Sequence, residues 1–485
     1  MTPARTRIAP SPTGYMHIGT LRTALYCYFL ARQTQGQFLI RIEDTDQERL
    51  VQGSVERLLQ TFQDLRIEHD EGPVLDDGVL VDKGAFGPYV QSERLELYRS
   101  YVDQLLKQGD AYECFCTKER LEEMRESQKA TKQTPKYDRT CLGLSSEAIA
   151  ENHANGISSV VRMKIPEGNT SFDDVIRGTL SFENADVDDQ IILKSDGFPT
   201  YHLAVVVDDH LMEISHVLRG EEWISSTPKH LMLYHMFGWE APVFAHLPLL
   251  LNPDKSKLSK RQGDVAVEDY LKRGYLPQTL INFVSLLGYN PRGDQELYTI
   301  QELIALFDLS KVNKSGAVLN MEKLDWMNNH YLRALSEDEL SRVAAPFVQA
   351  DVSSERVRRA LLVERNRVNR LDELQAHIND YLLEPSYDPS ILVWKNADRE
   401  DAKTQLTNLI PVLSGLPEAT FASLEAIETA VKTSIAERGL QNGNVLWPLR
   451  TALSGKEKSA SPFDYLWVLG REEALGRITR ALDLL

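Results

Sequence analysis

The stretch Arg7-Ile-Ala-Pro-Ser-Pro-Thr-Gly14-Tyr-Met-His17-Ile-Gly19-Thr20, with the run that follows it, decides the fold. Residues 7–10 form a short strand candidate that enters the turn Ser11-Pro-Thr-Gly14. Leu21, Ala24, Leu25, Tyr28, Phe29 and Arg32 then recur at helical spacing, which predicts a helix over 21–35 with Gly36 as its stop. Phe38-Leu-Ile-Arg-Ile42 reads as a buried strand, and 54–65 as a second amphipathic helix. A strand–helix–strand order at this spacing predicts an α/β fold with a parallel sheet.

Outward from this start, the chain has 485 residues, enough for two to four domains at roughly 100–200 residues each. Hydrophobic residues make up 42% and charged residues 26%, which argues against disorder. Lys plus Arg is 54 against 71 Asp plus Glu, a net charge of −17. Such a chain is no general polyanion sponge and binds nucleic acid only through local basic patches. The apolar run 247–251, with Pro248 inside, is far too short for a bilayer. The first seven residues hold no apolar signal region, and four Cys make no disulfide scaffold, so the expected compartment is the reducing cytoplasm. From about 111 to 189, charged helices alternate with short strands such as 159–165, the pattern of an insertion. Strands are expected again at 190–193 and 202–207, and from about 298 onward nearly everything reads as helix.

The glycine turn is also the first segment loaded with chemistry. Amides at a helix N-terminus, aided by the helix dipole, suit a phosphate. Gly19 lets the backbone approach a ligand, and His17 and the Thr20 hydroxyl can donate to phosphate oxygens; the plainer alternative is a turn that only reverses the chain. A second segment, Asp254-Lys255-Ser-Lys257-Leu-Ser259-Lys260-Arg261-Gln-Gly263, packs four cations and two hydroxyls into a short loop. Lysines so placed stabilise charge on a transferring phosphoryl group, although a solvated basic loop is the usual meaning of such a run.

Together, His-Ile-Gly-Thr and Lys-Leu-Ser-Lys-Arg resemble the paired "HIGH" and "KMSKS" signatures of class I aminoacyl-tRNA synthetases, with Thr20 in place of the second His and Leu258 in place of Met. The lead-in 7–14, the segment Arg41-Ile-Glu43-Asp44-Thr-Asp46, Pro199-Thr-Tyr201-His-Leu and Pro448-Leu-Arg450-Thr-Ala-Leu-Ser-Gly455 resemble the bacterial glutamyl-tRNA synthetases along essentially the whole chain. The resemblance implies a Rossmann-like parallel-sheet catalytic domain with an inserted α+β domain, then an all-α anticodon-binding domain. The catalytic halves would be 1–110 and 190–250, the acceptor-binding insertion 111–189, the stem-contact region with the lysine loop 251–325, and the all-helical anticodon-binding domain 326–485.

The implied reaction activates L-glutamate with ATP, releases pyrophosphate, and moves the glutamyl group to the 3′ end of tRNA(Glu), with tRNA(Gln) a second candidate acceptor. It needs no covalent protein intermediate, so catalysis is positioning and charge stabilisation. By the resemblance His17, Gly19, Thr20, Lys257, Ser259 and Lys260 serve ATP, with Mg²⁺ accompanying the nucleotide and Glu222 and Trp223 near it. Selecting glutamate needs a cation for its side chain, best met by the bidentate fork of Arg. Arg7 and Arg219 hold the family positions for this, and Ser11, Glu43 and Tyr201 complete the pocket, with Glu43 facing the amino group. Val205 stands where many relatives have Asn. For Arg7 and Glu43 the competing reading is a structural ion pair.

Cys114-Phe-Cys116 and Tyr137-Asp-Arg-Thr-Cys141 supply three thiols at a spacing that suits tetrahedral Zn²⁺, the alternative being three reduced thiols without metal. Some relatives carry Cys-x-His at the last position, where Gly143 breaks the pattern; others use a Tyr, which Tyr137 matches. The segment 355–370 carries six Arg and two Glu and reads as one helix with Arg356, Arg359, Arg367 and Arg370 on a basic ridge. Arg can contact phosphates and stack on bases, though a salt-bridged solvated face fits the same pattern. By resemblance Arg365, Arg367 and Arg450 are candidate anticodon contacts. The rivals are a glutaminyl-tRNA synthetase, whose anticodon part is typically a β-barrel, and a non-catalytic RNA-binding protein on a synthetase scaffold. A monomer is the family expectation.

Overall fold

The computed structural model describes residues 2–256, 258, 266–395 and 397–485. Its opening follows from the sequence spacing. Strand Arg5–Ile8 pairs in parallel with strand Gln37–Ile40. The helix between them, Ile18–Gln33, starts three residues before the predicted position because His17 caps it. The His17 backbone is extended, at φ −91° and ψ 160°, while its ring accepts from the Thr20 amide. At the other end, any side chain on Gly36 would run into the carbonyl of Ala4. Only glycine lets the chain turn there so tightly into the second strand. Leu21, Ala24, Leu25 and Phe29, all buried, hold the helix against the sheet.

The chain forms two compact units, Met1–Tyr270 with Leu280–Asn320, and Leu271–Thr279 with Met321–Leu485. In the first, six strands lie in the order Gln37–Ile40, Arg5–Ile8, His216–Gly220, Val243–Leu247, Asn169–Asp174, Gly178–Glu183. The first four pairings are parallel and the last is antiparallel. From the first strand the chain moves to one side and later returns on the other. The carboxyl ends of Arg5–Ile8 and His216–Gly220 therefore open a crevice of the kind that receives ligands in such sheets.

A smaller antiparallel sheet joins Ala111–Cys114, Val160–Met163 and Ile191–Leu193. The topology thus divides the chain differently from the expected 111–189 and 190–250. The hairpin Asn169–Glu183 belongs to the main sheet, and Ile191–Leu193 to the small one. The strand expected at 202–207 is part of a helix, Tyr201–Leu211. Its Leu203-Ala-Val-Val-Val207 run is buried on every side, so burial overrides the strand preference of β-branched residues.

The second unit is all-helical in its described residues, from Met321–Ala334 to Pro462–Leu484. Leu361, Ile378, Leu406, Val431, Leu449 and Leu466 are part of one apolar core. Arg477, fully buried, donates to the carbonyls of Asp380, Tyr381, Leu383 and Leu453. It thereby satisfies the last carbonyls of two helices, whose negative ends suit a cation. The arginine-rich segment departs from expectation. The helix runs only over Glu355–Glu364, so Arg367 and Arg370 leave the predicted ridge. No described helix of the molecule is long and apolar enough to cross a membrane.

Candidate active site

His17 sits where the first strand's turn becomes the first helix. Its Nδ1 accepts from the Thr20 amide at 3.3 Å, and the Thr20 hydroxyl lies 3.2 Å from Nε2. A side chain on Gly19 would press on the His17 ring at 3.1 Å. His17 thus takes up the Thr20 amide, and the positive end of the helix dipole at this turn favours an anion.

Two distant segments meet this turn. Ala266 bridges His17 in antiparallel fashion, and the Val267 amide donates to the Met16 carbonyl at 2.8 Å. On the other flank, the Leu258 amide donates to the Leu250 carbonyl at 3.1 Å, and Leu250 neighbours Gly19. Lys257, Ser259 and Lys260 lie outside the described residues. Leu258, inside that loop, bonds to Leu250 next to Gly19, and Ala266, just after it, pairs with His17.

Below the turn lies a buried charge network. Arg7 donates to both Asp209 oxygens, at 2.9 and 3.1 Å, and its Nη1 has no hydrogen-bond partner among the described residues. Arg41 pairs with Asp209 at 2.8 Å and Glu43 at 3.0 Å. The adjacent Asp208 accepts from Gln91, Arg94 and Tyr98 at 2.8, 2.8 and 2.7 Å. Three arginines face three carboxylates, so buried charge is balanced locally, the condition under which burial is tolerated. Burial works against the Asp209 charge, yet Arg7 and Arg41 hold its carboxyl below the usual range. Glu43 shifts the other way, because its burial outweighs Arg41 and Arg7.

Arg219 ends the strand His216–Gly220 and differs in kind. Its Nε donates to His246 Nε2 at 3.0 Å, and its Nη1 to the Tyr201 hydroxyl and His230 Nδ1, both at 3.1 Å. Its Nη2 donates to the Thr227 hydroxyl at 2.8 Å and to the Trp223 carbonyl at 3.5 Å, so each of its N–H groups has an acceptor. Tyr201 and the partly exposed Trp223 lie beside it, their rings tilted by 40° with centres 4.4 Å apart. Glu222 is exposed, folded back over Gly220 so closely that a side chain there would collide with its carboxylate. Ser11 is exposed in the turn, while Val205 is buried in the apolar core and offers no polar atom.

Of the expected pocket residues, Arg7 and Glu43 are joined through Arg41 and Asp209 rather than to each other. Sequence reasoning missed Asp208, Asp209, Asp174, His230 and His246. Two adjacent carboxylates directly after the apolar run 203–207 were the signal for the first two, since charges there must be paired.

In the small sheet, Cys114 ends a strand, Cys116 follows it and Cys141 lies in the turn Thr140–Gly143. Their sulfurs lie within 4.8 Å of one another. The Tyr137 hydroxyl is 3.4 Å from Cys114 Sγ and 3.3 Å from Cys116 Sγ. Zn–S bonds of about 2.3 Å put tetrahedral sulfurs about 3.8 Å apart, so this donor set fits zinc with little movement. Gly143 offers no ligand.

The predicted anticodon contacts are engaged within their own unit. Arg365 donates to the Leu335 carbonyl at 2.9 Å and Arg367 to Glu364 at 2.8 Å. Arg450 donates to the Glu457 carbonyl at 2.6 Å and covers the Trp447 ring.

Residues 3–326 match the family described as tRNA synthetases class I (E and Q), catalytic domain, and residues 338–482 an anticodon binding domain. The glutamate–tRNA ligase of Clostridioides difficile is 44% identical over 98% of both chains. That of Chlorobium luteolum is also 44% identical, over 99% of this chain and 97% of its own. The crystal structure of a glutamate tRNA ligase from Elizabethkingia meningosepticum, in complex with its amino acid, superposes with a TM-score of 0.89 at 34% identity over the whole of both chains. The fold, the helical second unit and these full-length matches agree: the chain belongs to the class I tRNA synthetases, in the glutamate–tRNA ligase family.

Proposed function

We propose that the chain is a glutamate–tRNA ligase. It activates L-glutamate with ATP to glutamyl-adenylate and pyrophosphate, then transfers the glutamyl group to the 3′ end of tRNA(Glu). In the first step a glutamate α-carboxylate oxygen bonds to the α-phosphorus and the bond to pyrophosphate breaks. In the second a ribose hydroxyl takes the acyl group and AMP leaves. The observation that carries this reading is the pairing of Ala266 with His17, together with the bond of Leu258 to Leu250, which supports a lysine loop close to the glycine turn. An all-helical second unit disfavours the glutaminyl rival.

On this reading His17, Gly19, Thr20, Glu222 and Trp223 hold the nucleotide, and Lys257, Ser259 and Lys260 face its phosphates. The family uses ATP with a divalent metal, here Mg²⁺. Arg7, Ser11, Glu43, Tyr201, Val205 and Arg219 line the amino-acid pocket. Cys114, Cys116, Cys141 and Tyr137 would hold one structural Zn²⁺, which supplies folding energy rather than chemistry. Protein purified without added metal should carry close to one equivalent of zinc; less than about a tenth would count against the site. Arg365, Arg367 and Arg450 serve the anticodon arm. The enzyme works as a cytoplasmic monomer, with tRNA(Gln) as a further substrate.

Charging purified tRNA(Glu) and tRNA(Gln) side by side, with labelled glutamate or glutamine, tests the assignment. Glutamyl-tRNA(Glu) is the expected product. Charging with glutamine in preference to glutamate, or no charging at all, would overturn it.

A further inference from the structure

The surroundings of Arg219 dictate which proton sits where. A guanidinium only donates, so each ring nitrogen facing it must be an acceptor. His246 Nε2 therefore carries no proton, and its Nδ1–H donates to Asp174 at 2.6 Å. Likewise His230 Nδ1 accepts, and its Nε2–H donates to His202 Nδ1 at 3.0 Å. Asp174 is fixed in turn, because its oxygens also accept from the amides of Ile176, Arg177 and His246. His230, His246 and Asp174 are all buried. Burial, with Arg219 adding to it, pushes both imidazoles below their usual range, which keeps them neutral.

The consequence is electrostatic. Arg7 and Arg41 touch carboxylates, but among the described residues no carboxylate lies within ion-pair distance of Arg219. Asp174 is the nearest counter-charge along this chain of bonds, and it is held one imidazole away. Its presence moderates the burial of Arg219 without occupying the guanidinium.

We propose that His246 and His230 are positioning residues for substrate selection. As neutral acceptors they accept hydrogen bonds from Nε and Nη1 of Arg219, fix the plane of its guanidinium beside Tyr201 and Trp223, and leave its charge without a direct counter-ion. That place is taken by the side-chain carboxylate of an acidic amino acid. The inference rests on the functional reading above and assigns the means by which the site prefers an anionic side chain to an amide.

The test uses the full chain with ATP, Mg²⁺ and tRNA(Glu), and measures kcat and KM for glutamate, glutamine and ATP. His246→Leu removes the acceptor and should raise the glutamate KM about tenfold or more, with kcat and the ATP KM within about twofold of the parent. His246→Gln, whose amide oxygen can replace Nε2, should recover most of that loss, and His230→Asn should do the same relative to His230→Leu. His246→Glu places a carboxylate directly on Arg219 and should cut the preference for glutamate over glutamine about tenfold or more. The proposal is overturned if His246→Gln is as impaired as His246→Leu, if glutamate and ATP KM rise together, or if His246→Glu keeps the parental preference. Should His246→Leu fail to fold, the pair His246→Gln and His246→Glu decides alone. A parent chain that does not charge tRNA with glutamate would overturn the functional reading instead.

Discussion

Arg7 and Arg219 end neighbouring strands of one sheet, and both are buried. Arg7 is clamped by Asp209, inside a network of three arginines and three carboxylates. Arg219 is surrounded by rings and hydroxyls. A buried cation is thus of two kinds. One is neutralised by a carboxylate of the fold and offers a ligand its Nη1. The other is held by neutral acceptors on its N–H groups, so its charge is hydrogen-bonded but not neutralised, at a cost in stability that a substrate anion relieves.

The comparison can be broken first at Arg7. Arg7→Ala leaves Asp209 buried with only Arg41, and should lower folding stability by about 3–5 kcal/mol, read from chemical denaturation, besides raising the glutamate KM. Arg219→Ala should do the reverse. It should remove about 2 kcal/mol or more from glutamate kcat/KM, with a smaller loss of stability than Arg7→Ala. Equal stability losses in the two variants would erase the distinction.

Acid separates the two regions. Burial, with help from Lys229 and Arg219, pushes His202 down to about 3, against about 6.5 in the unfolded chain. The unfolded state then binds the proton first, so this contribution is complete above about pH 6.5 and fades as pH falls toward 3. Asp209, whose folded value is depressed, contributes fully above its unfolded value of about 3.9 and loses that contribution only below it. Stability measured against pH should therefore begin to fall near pH 6.5, and His202→Asn should make the limb above pH about 4 shallower, the remaining slope coming from His230, His246 and the other histidines whose values are lowered by burial.

The smallest effect is expected in the helical unit, where arginines are partly exposed and already paired. Arg367→Ala should weaken tRNA binding by about 1 kcal/mol, with a shallower dependence on salt in a binding titration. No change in tRNA affinity or charging would remove Arg367 from the RNA surface.

The parts of this account legible in sequence were those written in local spacing. The strand, the glycine turn and the helix behind it follow from residues 7–42. The three thiols and Tyr137 stand within 28 positions of one another. What escaped was non-local. Asp209 reaches Arg7 across 202 positions, and His246 meets Asp174 across 72. The Val205–Val207 run reads as a strand by composition and is a helix because every side is covered. The arginine ridge failed for a local reason. Past Glu364 the Arg367 and Val368 amides still bond back to the Glu364 carbonyl, but the chain then leaves the helix, and the Asn369 amide turns to the Glu373 side chain.

The most direct measurement is the ratio of kcat/KM for glutamate to that for glutamine, taken on the parent and on Arg219→Ala with ATP saturating. The parent should favour glutamate strongly. Arg219→Ala should lose about a hundredfold of that preference while the ATP KM holds. A variant that keeps the full parental preference would contradict the claim that the unpaired charge of Arg219 reads the substrate's carboxylate.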